Sequence, residues 1–219
     1  MCPNVLATPS PSPLFGVLPG DPHIFDFSSQ NPVTWTLDPA NFDEFQRVVY
    51  DELHRSGCSW GIGKYLEERG GILRKYPQMI NEGRTVHAGL DIIMPEGSIL
   101  SSPLDAVVHA AGKEEGLGNY GGYIILQHTT TDASSYFSFH GHLHSRHLVS
   151  PGESLRAGEA FGKIGGGNDS GGWFCHSHLQ IITEKAANAG RFFQGYVSAQ
   201  DLPHVKEFFP DPHMLFRAR

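Results

Sequence analysis

Residues 84–98 read Arg84-Thr-Val-His-Ala-Gly-Leu-Asp-Ile-Ile-Met-Pro-Glu-Gly-Ser98, and here the texture of the chain changes. From this point short apolar runs recur, separated by Gly, Pro or Asn. They are Leu90–Met94, Ser98–Leu100, Ala106–Ala110, Gly122–Gln127, Tyr136–Phe139, Ala160–Ile164 and His178–Thr183. Short strands at regular intervals with turn signals between them indicate an all-β sandwich or barrel. The fold class expected is therefore mainly β, an antiparallel sandwich or barrel-like core with a small mixed α/β extension before it.

Outside this core the patterns differ. Residues 38–56 place Phe42, Phe45, Val49 and Leu53 at three- and four-residue steps, which predicts a helix. Asp38 or Asn41 can cap its start and Gly57 can end it. A shorter helix is expected around Lys64–Arg69, and another at Leu202–Phe209 before a Pro-Asp-Pro stop. Residues 1–37 are rich in Pro and Ser and read as loop or short edge strands. The organisation expected is an extension over 1–80, the β domain over 81–185 and a C-terminal extension over 186–219.

Composition narrows the function. Hydrophobic residues make up 39% and charged residues 18% of the 219, a globular balance. The 26 Gly and 15 Pro favour turns over long helices. A formal charge of −7 offers no basic footprint for nucleic acid. No apolar run approaches the ~18 residues of a membrane span, and the N-terminus lacks the pattern of a secretory signal. The expectation is a cytoplasmic chain without a membrane span. Cys2, Cys58 and Cys175 form neither a disulfide framework nor a Cys-x-x-Cys pair. The outlying number is 13 His.

Three segments concentrate chemistry: His87-Ala-Gly-Leu-Asp91, Phe139-His-Gly-His142-Leu143 and His176-Ser-His178. Singly they are weak, since short motifs of this kind arise by chance in a His-rich chain. Their context is more informative. Alternate residues of a strand share a face, so His176 and His178 project to one side. Neighbouring imidazoles on a β surface can serve one metal, or one metal and one reacting group. Zinc suits nitrogen and carboxylate ligands, and three protein ligands leave a fourth position open for water.

The order of segments resembles the lysostaphin-type zinc metalloendopeptidase family, peptidoglycan-hydrolase-like proteins with a duplicated hybrid motif fold. Residues 84–98 resemble the family's Arg-x-His-x-Gly-x-Asp opening with its following Pro-x-Gly. Ser102–Gly112, Asn119–His128, Phe139–Leu143, Val149–Gly165 and Cys175–Gln180 resemble its later segments in the same order, over roughly 100 residues. The resemblance implies one zinc ion held by His87, Asp91 and His178. His142 and His176 would be the unligated catalytic histidines, and the substrate a peptide or peptidoglycan cross-bridge. Ser177 and Gln180 depart from the family's usual Leu and Glu, and Cys175 from its Pro. Strand parity turns the Cys175 thiol away from the metal, as an inert core residue. The flanks around Gly171–His178 and Phe209–Phe216 resemble a subgroup found without secretion signals, sometimes fused to aminotransferases.

Two other function classes fit parts of the pattern. One is an inactive metal-binding module for a peptide or protein partner. The other is a non-haem iron oxygenase, which also uses two His and one carboxylate, although its usual His-x-Asp spacing is absent. His140 shares a nominal strand face with His142 and is expected as a polar rim residue. His109, His128, His144 and His147 read as ordinary. Gly165–Gly172 lacks the Gly-Lys-Ser/Thr ending of a phosphate cradle and reads as a loop bordering the groove.

Overall fold

The computed structural model describes residues 10–38, 40–130, 134–146 and 149–218; His147 and Cys2 lie outside them. Twelve strands occur among the described residues. They are β1 (His23–Ile24), β2 (Gly61–Gly63), β3 (Arg84–His87), β4 (Leu90–Ile93), β5 (Ile99–Ser101), β6 (Ala106–Glu114), β7 (Gly121–Thr129), β8 (Ser135–Leu143), β9 (Ser154–Leu155), β10 (Ala160–Lys163), β11 (Ser177–Thr183) and β12 (Tyr196–Ser198). Eight form one sheet in the order β1-β2-β4-β11-β8-β7-β6-β9, antiparallel except at β1–β2. Two ribbons, β5–β10 and β3–β12, flank it. The fold is mainly β, as its apolar spacing implies, but the sheet stays open and closes no barrel.

Side-chain alternation divides the sheet into two faces. Leu90 and Ile92 of β4 and Leu179 of β11 enter one apolar cluster, with Ile124, Leu126 and Phe161. Cys175 is buried in the same cluster, and burial pushes its thiol up to about 11. Asp91, His178 and Gln180 face the other way. Phe139, Ile125, Tyr120 and Ile182 pack on that second face.

The first long helix, α1 (Phe42–Ser56), follows its sequence closely. Asn41 caps it by accepting from Glu44 N–H at 3.2 Å, and Gly57, at φ 74°, ends it. Asp43 and Glu44 complement the helix dipole at its start, His54 and Arg55 at its end. Phe45, Val49 and Leu53 are buried against Phe25, Trp173 and Phe174. Each such side chain contributes about 1.5–3 kcal/mol by burial.

The helix expected at Lys64–Arg69 does not form. That segment turns at Tyr65–Leu66, with Leu66 at φ 57°, and then runs along β3: Leu66 N–H donates to His87 O at 2.8 Å, His87 N–H to Glu67 O at 2.9 Å and Arg69 N–H to Thr85 O at 2.8 Å. Helical geometry would break these cross-chain bonds and point Arg69 elsewhere. Two short helices follow instead, α2 (Gly70–Leu73) and α3 (Pro77–Asn81). After β11 come α4 (Glu184–Asn188) and, near the end, a 3-10 turn at Ala199–His204 that runs into α5 (Val205–Phe208). Pro203 lies within that turn. Its missing N–H disfavours one continuous α-helix through 202–209. No helix among the described residues is long and apolar enough to cross a membrane.

Candidate metal centre and active site

Sheet register brings the first two site residues together. His178 of β11 pairs directly with Asp91 of β4, and directly opposed residues hold their Cβ atoms ~5 Å apart on the same face. His87 ends β3 three residues before β4 begins. The turn between them needs Gly89: a Cβ there would lie 2.3 Å from the His178 ring. That is the physical content of the small residue between the His and the Asp.

The donor atoms converge. His87 Nε2 lies 3.0 Å from His178 Nδ1 and 3.2 Å from Asp91 Oδ1, and His178 Nδ1 is 3.3 Å from the same oxygen. All three donors fall within 4.8 Å of one another, and all three residues are buried. Outer hydrogen bonds set the tautomers. His87 Nδ1–H donates to Lys64 O at 3.0 Å. His178 Nε2–H donates to Gln180 Oε1 at 3.0 Å, and Gln180 Nε2 donates to Gln194 O at 3.1 Å, which fixes the amide's orientation. Both N–H groups therefore point outward. Two imidazole lone pairs and a carboxylate oxygen face one point with no proton between them. Such a set is mutually repulsive until a cation joins it, so the residues fit a metal ion. Gln180, a departure from the expected Glu, orients the His178 ring with Nδ1 toward the other two donors.

Asp91 Oδ2 is engaged elsewhere. Arg69 Nη1 donates to it at 2.7 Å, and Arg69 Nε donates to Glu67 Oε2 at 3.0 Å. The guanidinium also sits 5.1 Å above the Phe27 ring. Burial alone would raise the Asp91 carboxyl, but His87, Arg69 and His176 hold it well below its usual range. Burial would likewise lower Arg69, and Asp91, Tyr196 and Glu67 outweigh it. Burial and the Arg69 charge together push His87 down to about 4.

His142 and His176 lie beside this set, with ring centroids 4.3 Å apart. His142 Nδ1–H donates to Ser170 O at 2.8 Å and His176 Nδ1–H to Phe174 O at 2.7 Å, so each turns Nε2 inward. His176 Nε2 comes within 3.5 Å of Asp91 Oδ1. Burial lowers both: His176 to about 4 despite the opposing Asp91 charge, and His142 well below its usual value with His176 adding to the effect. The five residues are between 1% and 4% exposed. They line a pocket of about 190 Å³.

His142 reaches this pocket through a backbone irregularity. Regular alternation would place it with His140 on the opposite face. Between Gly122↔Leu143 and Ile124↔His140, β8 holds one residue more than β7, and His142 adopts φ 60°. The bulge turns His142 over to the pocket face, which is a typical use of such a distortion. His140 stays behind. It is fully buried rather than at a rim, packs on Phe161 and donates through Nε2 to Ser138 Oγ at 3.0 Å. Ser138 also meets His128 Nε2 at 2.8 Å, and His128 Nδ1–H donates to Asp105 O at 3.1 Å.

Several residues around the site carry no signal in the sequence. Arg69 and Glu67 lie in the stretch expected as a short helix at Lys64–Arg69 with no role at the site. No motif marks Trp173, Tyr120 and Tyr196, and only their placement shows them lining the pocket.

Residues 85–189 match the model of peptidase family M23. Among solved structures, a zinc containing peptidase from Vibrio cholerae is 24% identical, with 45% of this chain and 28% of that one covered and a TM-score of 0.38. The catalytic domain of the antimicrobial peptidase lysostaphin from Staphylococcus simulans is 21% identical over 56% of this chain and 80% of that one, at a TM-score of 0.39. A solution structure of lysostaphin is 22% identical over 67% and 50%, at 0.43. The match thus spans little more than a quarter of the Vibrio chain and half of that lysostaphin chain. No curated protein matches. Across residues 85–189 this chain carries a domain of peptidase family M23.

Proposed function

We propose that the chain is a zinc-dependent metallohydrolase that cleaves an amide bond, as an endopeptidase acting on a peptide or a peptidoglycan-type cross-bridge. The observation that carries this reading is the convergence of two imidazole lone pairs and one carboxylate oxygen on one point, with two further Nε2 atoms beside them. His87 Nε2, Asp91 Oδ1 and His178 Nδ1 would hold one zinc ion. Zinc bound there would polarise the scissile carbonyl and acidify a water molecule.

The chain's own residues do the rest. Burial keeps His142 and His176 neutral, and each has its Nδ1–H tied to a backbone carbonyl. Each therefore offers a basic Nε2 to the pocket at neutral pH. One takes the proton of the attacking water at Nε2 and returns it to the leaving amine. The other can donate from Nε2 to the oxygen on which charge develops only as the imidazolium, after taking up a proton from solvent. Arg69 keeps Asp91 Oδ2 occupied, so that Oδ1 faces inward. The family membership of residues 85–189 supports the same reaction class.

The test is a cleavage screen of a peptide library and of peptidoglycan, with metal-quantified protein, with and without chelator. Cleavage that disappears with chelator and returns with zinc is expected. Zinc retention with no cleavage of any substrate would indicate a binding module instead, and stoichiometric iron would return the oxygenase reading.

A further inference from the structure

The pocket is small and roofed. Ligand sites of ordinary size run to about 300–1,000 Å³, against about 190 Å³ here. Its cover comes from Ile72 and Met79, which precede the M23 domain, and from Trp173 within it. Tyr76 stacks on Trp173 at 5.5 Å, and Trp173 lies between Tyr76 and Tyr196 and 6.1 Å from the His142 ring. Ile72 and Met79, on α2 and α3, line the pocket from the same side and are 1% and 7% exposed. These side chains belong to one apolar cluster with Phe27, Phe45 and Phe174. The roof is therefore a packed wall continuous with the α1 core, rather than a loop resting on the surface.

The opposite wall meets it. The β6–β7 loop comes so near that a Cβ on Gly118 would lie 2.6 Å from Tyr76 Cδ1. The same loop is tied down behind, since Gly118 N–H donates to Gly171 O at 2.9 Å and Gly122 N–H to Asp169 O at 2.8 Å. The partly or fully exposed part of the lining includes Gln78, Arg84, Glu114 and Phe193. That opening offers charges of both signs, as a short peptide with free termini would require.

We propose that the wall built by Ile72, Met79 and Trp173, with Tyr76 stacked on Trp173, restricts the site to short peptides of about two or three residues, admitted by an end, and excludes a polymeric chain laid across the metal centre. This rests on the peptidase reading above. An extended peptide advances about 3.3–3.6 Å per residue, so a pocket of about 190 Å³ with Tyr76 and Gly118 in close approach beside it leaves room for few residues of a polymer laid across the metal.

The test separates the two readings. Zinc-loaded His142→Ala protein, which is expected not to turn over, is titrated calorimetrically with alanine and glycine oligomers from dipeptide to decapeptide. The full-length wild-type protein is assayed for cleavage of the same series and of intact sacculi. Expected are binding and cleavage of the short members, about tenfold or more weaker binding of the longest, and no release from sacculi. Tyr76→Ala should narrow that ratio, and Met79→Ala, which spares the Tyr76–Trp173 stack, is the second variant should the first fold poorly. Equal binding of long and short oligomers overturns the inference, as does binding of none, or an unchanged ratio in a folded roof variant. Length-selective binding without wild-type cleavage would sink the peptidase reading and leave the roof standing.

Discussion

At the level of single residues the candidate metal centre depends on which nitrogen carries a proton. Gln180 and the Lys64 carbonyl decide that for His178 and His87. Gln180→Leu should free the His178 tautomer and weaken zinc binding about 10–100-fold, as losses of such supporting bonds do, measured by competition with a chelator of known affinity. Gln180→Glu should keep the affinity within that range or raise it. His178→Ala should abolish zinc binding. His142→Ala should retain the metal and lose turnover on the order of 10²–10⁴-fold; metal loss in that variant would overturn the division of roles. Arg69→Met leaves Glu67 buried beside an Asp91 without its ion pair. In metal-free protein a loss of about 3–5 kcal/mol is expected, as for one partner of a buried pair, read from urea unfolding.

Among the elements, β8 is the one whose geometry contradicts its simplest reading. His140 and His142 are two apart and belong on one face of a regular strand. The bulge sends His140 to the Phe161 side and His142 to the pocket. A side chain at φ 60° is costly for a residue other than Gly, by roughly 1–2 kcal/mol. His142→Gly should therefore be more stable than His142→Ala by about 1 kcal/mol, while both lack turnover; equal thermal midpoints would count against strain at this position. The helix expected at Lys64–Arg69 fails for a related reason. Its backbone completes the β3 edge, and local propensity yields to those hydrogen bonds. By contrast α1 holds to its sequence because cap, charge order and apolar stripe agree.

Over the whole molecule, the segment preceding the M23 domain is joined to it through the sheet itself. β2 pairs with β4 along Gly61↔Ile93, Ile62↔Ile92 and Gly63↔Asp91. Removing residues 1–70 takes away β2, the α1 packing and Arg69 together, so the truncated chain should lose cooperative unfolding and zinc binding. Intact activity in a folded truncation would refute this. Buried histidines also make global stability depend on pH. Burial holds His128 down to about 4, despite its bond to the Asp105 carbonyl, against about 6.5 for an unperturbed His. Its folded value lies below its unfolded one, so the unfolded chain binds the extra proton first. The neutral His128 contribution is complete above about pH 6.5 and is lost on acidification toward pH 4. That amounts to about 3 kcal/mol at most for this residue. His128→Gln should flatten the acid limb of the stability profile measured by denaturant titration across that window.

Some of this was written locally. The apolar runs from Leu90 to Thr183 and their turn residues determine the β class, because alternation and punctuation are properties of neighbours along the chain. The His87-x-Gly-x-Asp91 spacing and the His176-x-His178 pair likewise mark out side chains that one surface can gather. The tertiary structure alone decided that the sheet remains open and that His142 crosses a bulge to reach the pocket. It also brings Arg69, from a segment expected as a short helix, to hold Asp91, and lines the site with Ile72, Met79 and Trp173. Each of these depends on contacts between residues far apart in sequence, where register, burial and packing override what any local segment prefers.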